Sequence, residues 1–206
     1  MDSGKFIVLE GIDGAGTSTQ AARLAAWIQE QGKPVHLTSE PSAGAIGKVI
    51  RQWLADPPPE PGAGLLPHAL ALLFAADRLE HLAREVEPQL AAGVHVVSDR
   101  YLLSSLAYQS LDCDYDWVAE LNREARPADL TILLDLPAEL AMKRAAQRAK
   151  KPELFEKLEV QEKVRRLYLE AVRRLSADQP VVVLDGGASI AEVFQAVVKT
   201  VKPVLG

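Results

Sequence analysis

A glycine-rich segment near the start of the chain has the residue types that bind phosphate. It follows an apolar stretch and reads Gly11-Ile12-Asp13-Gly14-Ala15-Gly16-Thr17-Ser18-Thr19. Glycines let the main chain fold tightly around an anion, so that successive amides point at its oxygens. A helix beginning near Thr17 would add the positive end of its dipole. We call residues 11–19 the glycine loop and predict that it binds nucleotide phosphates; a purely structural glycine turn is the alternative.

The glycine loop lacks the lysine of the usual G-x-x-x-x-G-K-[ST] pattern, because Thr17 stands in that position. A charge pair about 4 Å apart is worth about 4 kcal/mol at an effective dielectric constant of about 20. Losing that much in the transition state would slow phosphoryl transfer roughly a thousandfold. Another cation therefore replaces the lysine, or the enzyme is slow, or the loop only binds. Ser18 occupies the position of the hydroxyl that binds Mg²⁺.

A basic cluster in the second half of the chain offers replacement cations. Its members are Arg144, Arg148, Lys150 and Lys151. Phosphoryl transfer needs cations around the migrating group, so the cluster predicts a small mobile lid at about residues 144–157. A solvated helix face would have the same composition.

A second candidate site lies at Asp99-Arg100-Tyr101, directly after another apolar stretch. Doubly wound sheets place their ligands at the carboxyl ends of strands. An arginine there can hold a phosphate through its planar fork of donors, and Asp99 can help to hold Mg²⁺ through water. The alternative is a structural ion pair between Asp99 and Arg100.

The elements that must position these residues alternate along the chain. Five short apolar runs predict strands, at residues 6–9, 34–38, 94–98, 130–134 and 181–184. None of them alternates cleanly with polar residues, which is typical of strands buried on both faces of a parallel sheet. Helical spacing follows Thr17 and recurs at about 65–90, 138–148, 157–175 and 190–201. This alternation predicts an α/β fold: a five-stranded parallel sheet with helices on both faces, in the three-layer arrangement of the P-loop NTPases.

Composition narrows the class of protein. At 206 residues the chain fits one domain, and the Pro/Gly-rich tract at 56–64 predicts a surface loop rather than a linker. The net charge of −5 disfavours nucleic acid as a partner. The single cysteine, Cys113, excludes an internal disulfide. No targeting or membrane-spanning segment is visible, so we expect a cytoplasmic protein that does not associate with membranes.

Five segments together resemble the thymidylate kinase family. They are G-I-D-G-A-G-T-S-T-Q at 11–20, T-S-E-P at 38–41, F-A-A-D-R at 74–78, D-R-Y-L-L-S-S-L-A-Y-Q at 99–109 and L-D-L-P at 134–137. They follow the order and spacing of the family across nearly the whole chain, and S-x-A-Y-Q after the second arginine motif is the most specific part. The resemblance implies a homodimeric enzyme that moves the terminal phosphate of ATP to dTMP with Mg²⁺.

The resemblance also implies roles for single residues. ATP would be bound by Gly11, Gly14, Ala15, Gly16, Thr17, Ser18, Thr19 and Arg144. Asp13 matches the family's acid near the sugar 3′-hydroxyl and the metal, and Arg100 would grip the dTMP phosphate. Gly14 stands where one family branch has an arginine. The other branch supplies the catalytic cation from the lid, and Arg148 is then the leading candidate.

On the acceptor side, Phe74 would stack on thymine, although an apolar context also suits a core position. Arg78 would bind the base or the phosphate, and Arg51 would approach the phosphate. The remaining residues that the family implies for the acceptor are Glu40, Ser104, Ser105, Tyr108 and Gln109, with the ring of Tyr108 placed to disfavour a ribose 2′-hydroxyl.

Departures from the family pattern leave two other hypotheses open. Thr17 replaces the lysine, Ser39 stands where many relatives have arginine, and Ser42-Ala43 replaces a glycine pair. One alternative is a kinase for another nucleotide or nucleoside. The other is a nucleotide-binding protein with a degenerate loop, although the full acceptor set argues against a mere ATP sensor. The helix at 65–90 is the candidate dimer contact.

Overall fold

The fold is built on one parallel sheet, seen in a computed structural model that describes residues 3–59, 64–147, 158–175 and 179–206. The strands are β1 (Phe6–Glu10), β2 (Val35–Ser39), β3 (His95–Asp99), β4 (Leu130–Asp135) and β5 (Val181–Asp185). Their order in the sheet is β2-β3-β1-β4-β5, and every pair is parallel. All five predicted strands are confirmed.

Helices cover both faces of this sheet, which confirms the three-layer α/β prediction. They are α1 (Thr17–Glu30), α2 (Ala45–Ala55), α3 (Leu66–His81), α4 (Glu87–Ala91), α5 (Leu102–Tyr108), α6 (Tyr115–Leu121), α7 (Ala138–Ala146), α8 (Leu158–Leu175) and α9 (Ile190–Leu205). The side chains of β1 alternate between two cores, as strand geometry requires. Ile7 and Leu9 pack in the core that includes α1, α8 and α9, whereas Phe6 and Val8 pack against the segment around Leu82–Val86.

The predicted helix at 65–90 is interrupted. A π-helical turn at Leu82–Val86 separates α3 from α4. Pro88 lies in the first turn of α4 and has no amide hydrogen to donate to the preceding turn, which accounts for a wider turn at this point. The helices α2, α5 and α6 were not predicted.

The prediction that all strands are buried on both faces was wrong for the two edges. β1 is fully buried and β4 nearly so, but β2 and β5 alternate between half-buried and exposed residues. Each edge strand has a neighbour on one side only, so solvent reaches part of its surface. None of the helices in the described part of the chain has the length and apolarity to cross a bilayer.

The carboxyl ends of the parallel strands lie along one edge of the sheet. Leu9 of β1 is in register with Asp99 of β3, and Glu10 with Leu133 of β4. The glycine loop leaves β1 at this edge, and Arg100 leaves β3 beside it. The topology thus brings together the two candidate sites of the sequence.

Candidate active site

The glycine loop runs from the end of β1 into the first turn of α1. Gly14 and Gly16 have φ angles of 87° and 93°, which disfavour any residue with a side chain. A Cβ at Gly14 would also lie 2.0 Å from the main-chain oxygen of Ala141 in α7. The loop is therefore packed against α7, and Gly16 serves as the N-cap of α1. The amides of the first turn of α1 are the donors that such a loop offers to an anion.

The position of the missing lysine is buried. Thr17 is 5% exposed, and its methyl group lies 3.3 Å from where a Cβ of Gly11 would be. Arg144 lies near this loop but donates to main-chain oxygens: Gly186 at 2.6 Å, Gly187 at 2.9 Å and Ala188 at 3.1 Å. The other predicted cations, Arg148, Lys150 and Lys151, lie outside the described residues, as does most of the predicted lid.

The two residues predicted to bind metal lie together. The hydroxyl of Ser18 is in contact with Oδ2 of Asp99. The Oδ1 atom of Asp99 is buried and has no hydrogen-bond partner in the ranges that the structure describes. Hydroxyl and carboxylate oxygens are hard donors that suit Mg²⁺, so the residues present fit this ion. Within those same ranges, no group of three His, Cys, Asp or Glu residues is placed to hold a metal ion.

Arg100 has an unusual backbone conformation, and its side chain makes several polar contacts. Its φ angle of 74° is the single positive value among the described non-glycine residues. Such a conformation costs of order 1–3 kcal/mol and clusters at functional sites. Its Nη2 atom lies 2.5 Å from Oδ1 of Asp13. Its Nη1 atom donates to the hydroxyls of Ser104 at 3.3 Å and Tyr168 at 3.2 Å.

The aromatic ring of Tyr108 faces the guanidinium of Arg100. The Arg100 guanidinium carbon is 5.3 Å from the centre of the Tyr108 ring, and the amide of Asp13 donates to the Tyr108 hydroxyl at 3.2 Å. Burial raises the pKa of Tyr108, so its hydroxyl stays protonated at neutral pH. In the 3₁₀ turn that follows α5, the buried Oε1 of Gln109 has no hydrogen-bond partner within the described ranges. It is an acceptor that a ligand could use.

Arg78 and Glu40 form a buried ion pair. The Nη2 atom of Arg78 lies 2.7 Å from Oε2 of Glu40, and both side chains are at most 3% exposed. Arg78 also donates to the Tyr101 main-chain oxygen at 2.9 Å and to the Ser105 hydroxyl at 3.0 Å, and it contacts Oδ1 of Asn122. These contacts hold α3, α5 and the segment after β2 together. The guanidinium of Arg78 is therefore turned into the protein rather than towards a free surface.

Two further predicted residues have different surroundings. Phe74 is half-buried on α3, one helical turn before Arg78. Arg51 donates to the main-chain oxygens of Ser42 at 2.6 Å, Pro41 at 2.9 Å and Gly47 at 3.0 Å. Its charge is thus held beside the loop after β2 without a carboxylate partner among these contacts.

Sequence reasoning missed Glu10 and Tyr168. Glu10 is fully buried at the end of β1, where its Oε1 accepts from the amides of Tyr101 at 2.9 Å and Ser104 at 3.2 Å. Its Oε2 accepts from the hydroxyls of Ser104 at 2.6 Å and Tyr168 at 3.3 Å. Burial raises the pKa of Glu10, while hydrogen bonds from Ser104 and the charges of Arg100 and Arg78 oppose the rise. A charged residue closing an apolar strand was the signal for Glu10; nothing marked Tyr168.

A cavity of about 290 Å³ lies between the glycine loop and the segment that follows β5. It is lined by parts of the loop and α1, by Arg144 and Gln147, and by the segment after β5 that includes Gly186, Ala188 and Ile190. The sequence analysis missed the segment after β5, which has no charged residue to draw attention to it.

Comparisons with known proteins identify the family to which this chain is similar. A family model described as thymidylate kinase matches residues 9–197. A probable thymidylate kinase of Thermococcus onnurineus is 45% identical over 96% of this chain and 97% of its own length. One from Pyrococcus abyssi is 41% identical over 97% of this chain and 96% of its own. The thymidylate kinase of Carboxydothermus hydrogenoformans is 37% identical over 93% of each chain.

Proposed function

Since this chain belongs to the thymidylate kinase family, we propose that it transfers the terminal phosphate of ATP to dTMP by direct in-line attack. The observation that carries the proposal is the contact between Asp13 of the glycine loop and Arg100 of the acceptor side. It sets a donor-phosphate loop and an acceptor-phosphate arginine side by side at one edge of the sheet.

In the proposed reaction the dTMP phosphate needs no general base, because its dianion is already nucleophilic near neutral pH. The chain's task is to hold two anions together against their mutual repulsion. The amides of the glycine loop and of the first turn of α1 hold the donor phosphates. Arg100 holds the acceptor phosphate through its planar fork.

Mg²⁺ is the proposed cofactor. When bound, it would neutralise charge on the donor phosphates. Ser18 and Asp99 are the residues that would hold it, Ser18 directly and Asp99 directly or through water. The unpartnered Oδ1 of Asp99 supports this assignment.

The acceptor base and sugar would lie along α3 and α5. Phe74 supplies an aromatic face, and the buried Oε1 of Gln109 has no hydrogen-bond partner among the described residues. Tyr108 lies beside Arg100, where its ring would crowd a ribose 2′-hydroxyl. The buried contacts of Arg78 and Glu40 support a positioning role for that pair, in which Arg78 of α3 also donates to the hydroxyl of Ser105 on α5.

The donor base would occupy the cavity beside the glycine loop, against Arg144 and the segment after β5. Arg148 keeps its proposed role as the cation that replaces the missing lysine, on the strength of the sequence alone. The predicted lid at about 144–157 is proposed on the same basis, as part of a single domain.

A homodimer in the cytoplasm is also proposed. Leu65, the N-cap of α3, and Leu72 and Leu79 within α3 recur every seven residues and are 65%, 50% and 44% exposed. Val49 of the neighbouring α2 is 40% exposed. An apolar stripe of this kind across two packed helices fits a contact between two copies.

The test is formation of dTDP from dTMP and ATP by the purified protein, with the product identified by chromatography. We expect turnover that requires Mg²⁺ and disappears when it is chelated. Binding of dTMP without any dTDP at saturating ATP-Mg²⁺ would overturn the proposal and favour a nucleotide-binding protein with a degenerate loop.

A further inference from the structure

Arg100 is joined to a buried carboxylate through two hydroxyl groups. Arg100 Nη1 lies 3.2 Å from the hydroxyl of Tyr168, which lies 2.8 Å from Oγ of Ser104. Oγ of Ser104 in turn lies 2.6 Å from Oε2 of Glu10. The chain of contacts connects α8, α5 and β1, three elements that are distant in sequence.

The direction of each hydrogen bond in this chain follows from its two ends. The Arg100 guanidinium can only donate, and an ionised carboxylate can only accept. The hydroxyl of Ser104 therefore donates a hydrogen bond to the carboxylate of Glu10. Tyr168 then accepts from Arg100 and donates to Ser104 or to Glu10. Every hydroxyl hydrogen in the chain of contacts thus has an acceptor on the Glu10 side, and Arg100 supplies the donor at the other end.

Glu10 anchors this chain to the start of α5. Its Oε1 accepts from the amides of Tyr101 and Ser104, which α5 itself cannot satisfy at its first turn. The side chain of Tyr101, the N-cap residue of α5, makes no capping hydrogen bond. The strand that leads into the glycine loop thus caps the helix that carries the acceptor residues.

Tyr168 is placed to act on Arg100 without reaching a ligand itself. Its side chain is 1% exposed, and its ring packs in the core that includes α1 and α9. The Arg100 side chain, in contrast, is 21% exposed. The guanidinium ends a flexible side chain, so its contacts with Asp13, Ser104 and Tyr168 are what hold it in one orientation.

We infer that Tyr168 is a positioning residue for the acceptor phosphate, acting through Arg100 together with Ser104 and Glu10. The inference rests on the proposed function, in which Arg100 holds that phosphate. Removing the Tyr168 hydroxyl alone should let the guanidinium reorient and weaken binding of a phosphorylated acceptor. Binding of the same nucleoside without its phosphate should change little.

The test compares Tyr168→Phe with a matched control, Tyr101→Phe. The hydroxyl of Tyr101 is also buried, but it donates to the main-chain oxygen of Arg126 at 3.0 Å, and its ring packs on the other face of the sheet. Calorimetry with dTMP and with thymidine gives affinities, and steady-state assays give the KM of each substrate. Melting temperatures show that both variants are folded.

For Tyr168→Phe we expect dTMP affinity to fall about tenfold, the factor that one lost hydrogen bond to a charged group implies. Thymidine affinity and the KM for ATP should change less than about twofold, as should every parameter of Tyr101→Phe. In an Arg100→Lys background the further effect of Tyr168→Phe should nearly vanish, because both changes remove the same interaction.

Three results would overturn the inference. They are an unchanged dTMP affinity in folded Tyr168→Phe, an equal loss for dTMP and thymidine, or the same loss factor in the unaltered and Arg100→Lys backgrounds. Absence of dTMP binding to the unaltered protein would instead overturn the proposed function, and the inference with it.

Discussion

The Nη2 atom of Arg100 lies 2.5 Å from the Oδ1 atom of Asp13, so the residue after β3 and the loop after β1 meet in an ion pair. Both side chains are partly exposed, at 21% and 42%. The pair is therefore open to a ligand on one side and held by the protein on the other. We expect an acceptor phosphate to share or replace Asp13 as the partner of Arg100.

Replacing Arg100 by lysine tests whether geometry matters beyond charge. Arg100→Lys keeps one positive charge but loses the fork that can bind two phosphate oxygens. We expect kcat/KM for dTMP to fall about 10- to 100-fold, with the KM for ATP within about threefold. Arg123→Lys is the control, because Arg123 is 66% exposed and pairs with surface glutamates. Equal losses for both substrates would contradict the assignment of Arg100 to the acceptor.

Restoring a lysine in the glycine loop tests which group supplies the positive charge that the loop lacks. If Arg148 supplies the missing charge, Thr17→Lys should change kcat less than about fivefold in the unaltered background, whereas Arg148→Ala should lower it about 100-fold. Thr17→Lys should then recover about tenfold or more of that loss. The measurement is a coupled assay of the four proteins. A large gain from Thr17→Lys alone would mean that no other group had filled the role.

The buried Glu10 gives the stability of the protein a pH dependence of known sign. Burial raises its pKa in the folded state above the ordinary value of 4.5, so the folded protein binds this proton more tightly than the unfolded chain. The free energy of unfolding contributed by Glu10 should therefore fall as pH rises from about 4.5 through the raised folded-state pKa.

Urea unfolding of the unaltered protein and of Glu10→Gln, across pH 4.5 to 8, measures the contribution of Glu10 to the free energy of unfolding. We expect the difference in unfolding free energy, unaltered protein minus variant, to decrease with rising pH. A difference that grows with pH would mean that hydrogen bonds and the two arginines outweigh the burial of this carboxylate.

The exposed leucines of α3 give a test of the proposed dimer. A carboxylate within an apolar contact between two copies would be desolvated without a partner. Leu72→Glu should therefore shift the protein from twice the mass of the chain to one chain mass in size-exclusion chromatography with light scattering. Leu158→Glu is the control, since Leu158 is 36% exposed on α8, away from the stripe. A monomeric unaltered protein would contradict the proposal outright.

What the sequence predicted well was local. The strands are short runs rich in Val, Ile and Leu, which are typical of a buried sheet. The glycine loop was predictable from the spacing of its glycines before Ser18. Asp99 and Arg100 were predictable because a polar pair directly after a buried strand must lie at the edge of the sheet. These features depend on residues that are neighbours along the chain.

What the sequence did not predict depends on contacts between distant segments. Tyr168 lies 68 residues from Arg100 and 158 from Glu10, and no periodicity links them. The burial of Arg78 has the same origin, because its partners come from three other segments. The predicted helix at 65–90 is interrupted because Pro88 widens the preceding turn. The periodicity of apolar residues does not predict this effect.

We expect the site around Arg100 to select dTMP as the phosphate acceptor. The most direct measurement is a competition in one tube, with ATP-Mg²⁺ and equal concentrations of dTMP, CMP, UMP and GMP, followed by chromatographic separation of the diphosphates. The ratio of products then gives the ratio of kcat/KM values. We predict that dTDP forms at least about tenfold faster than any other diphosphate, as selection by a fitted base site implies. Preferential formation of CDP, UDP or GDP, or no diphosphate from any acceptor, would contradict the account.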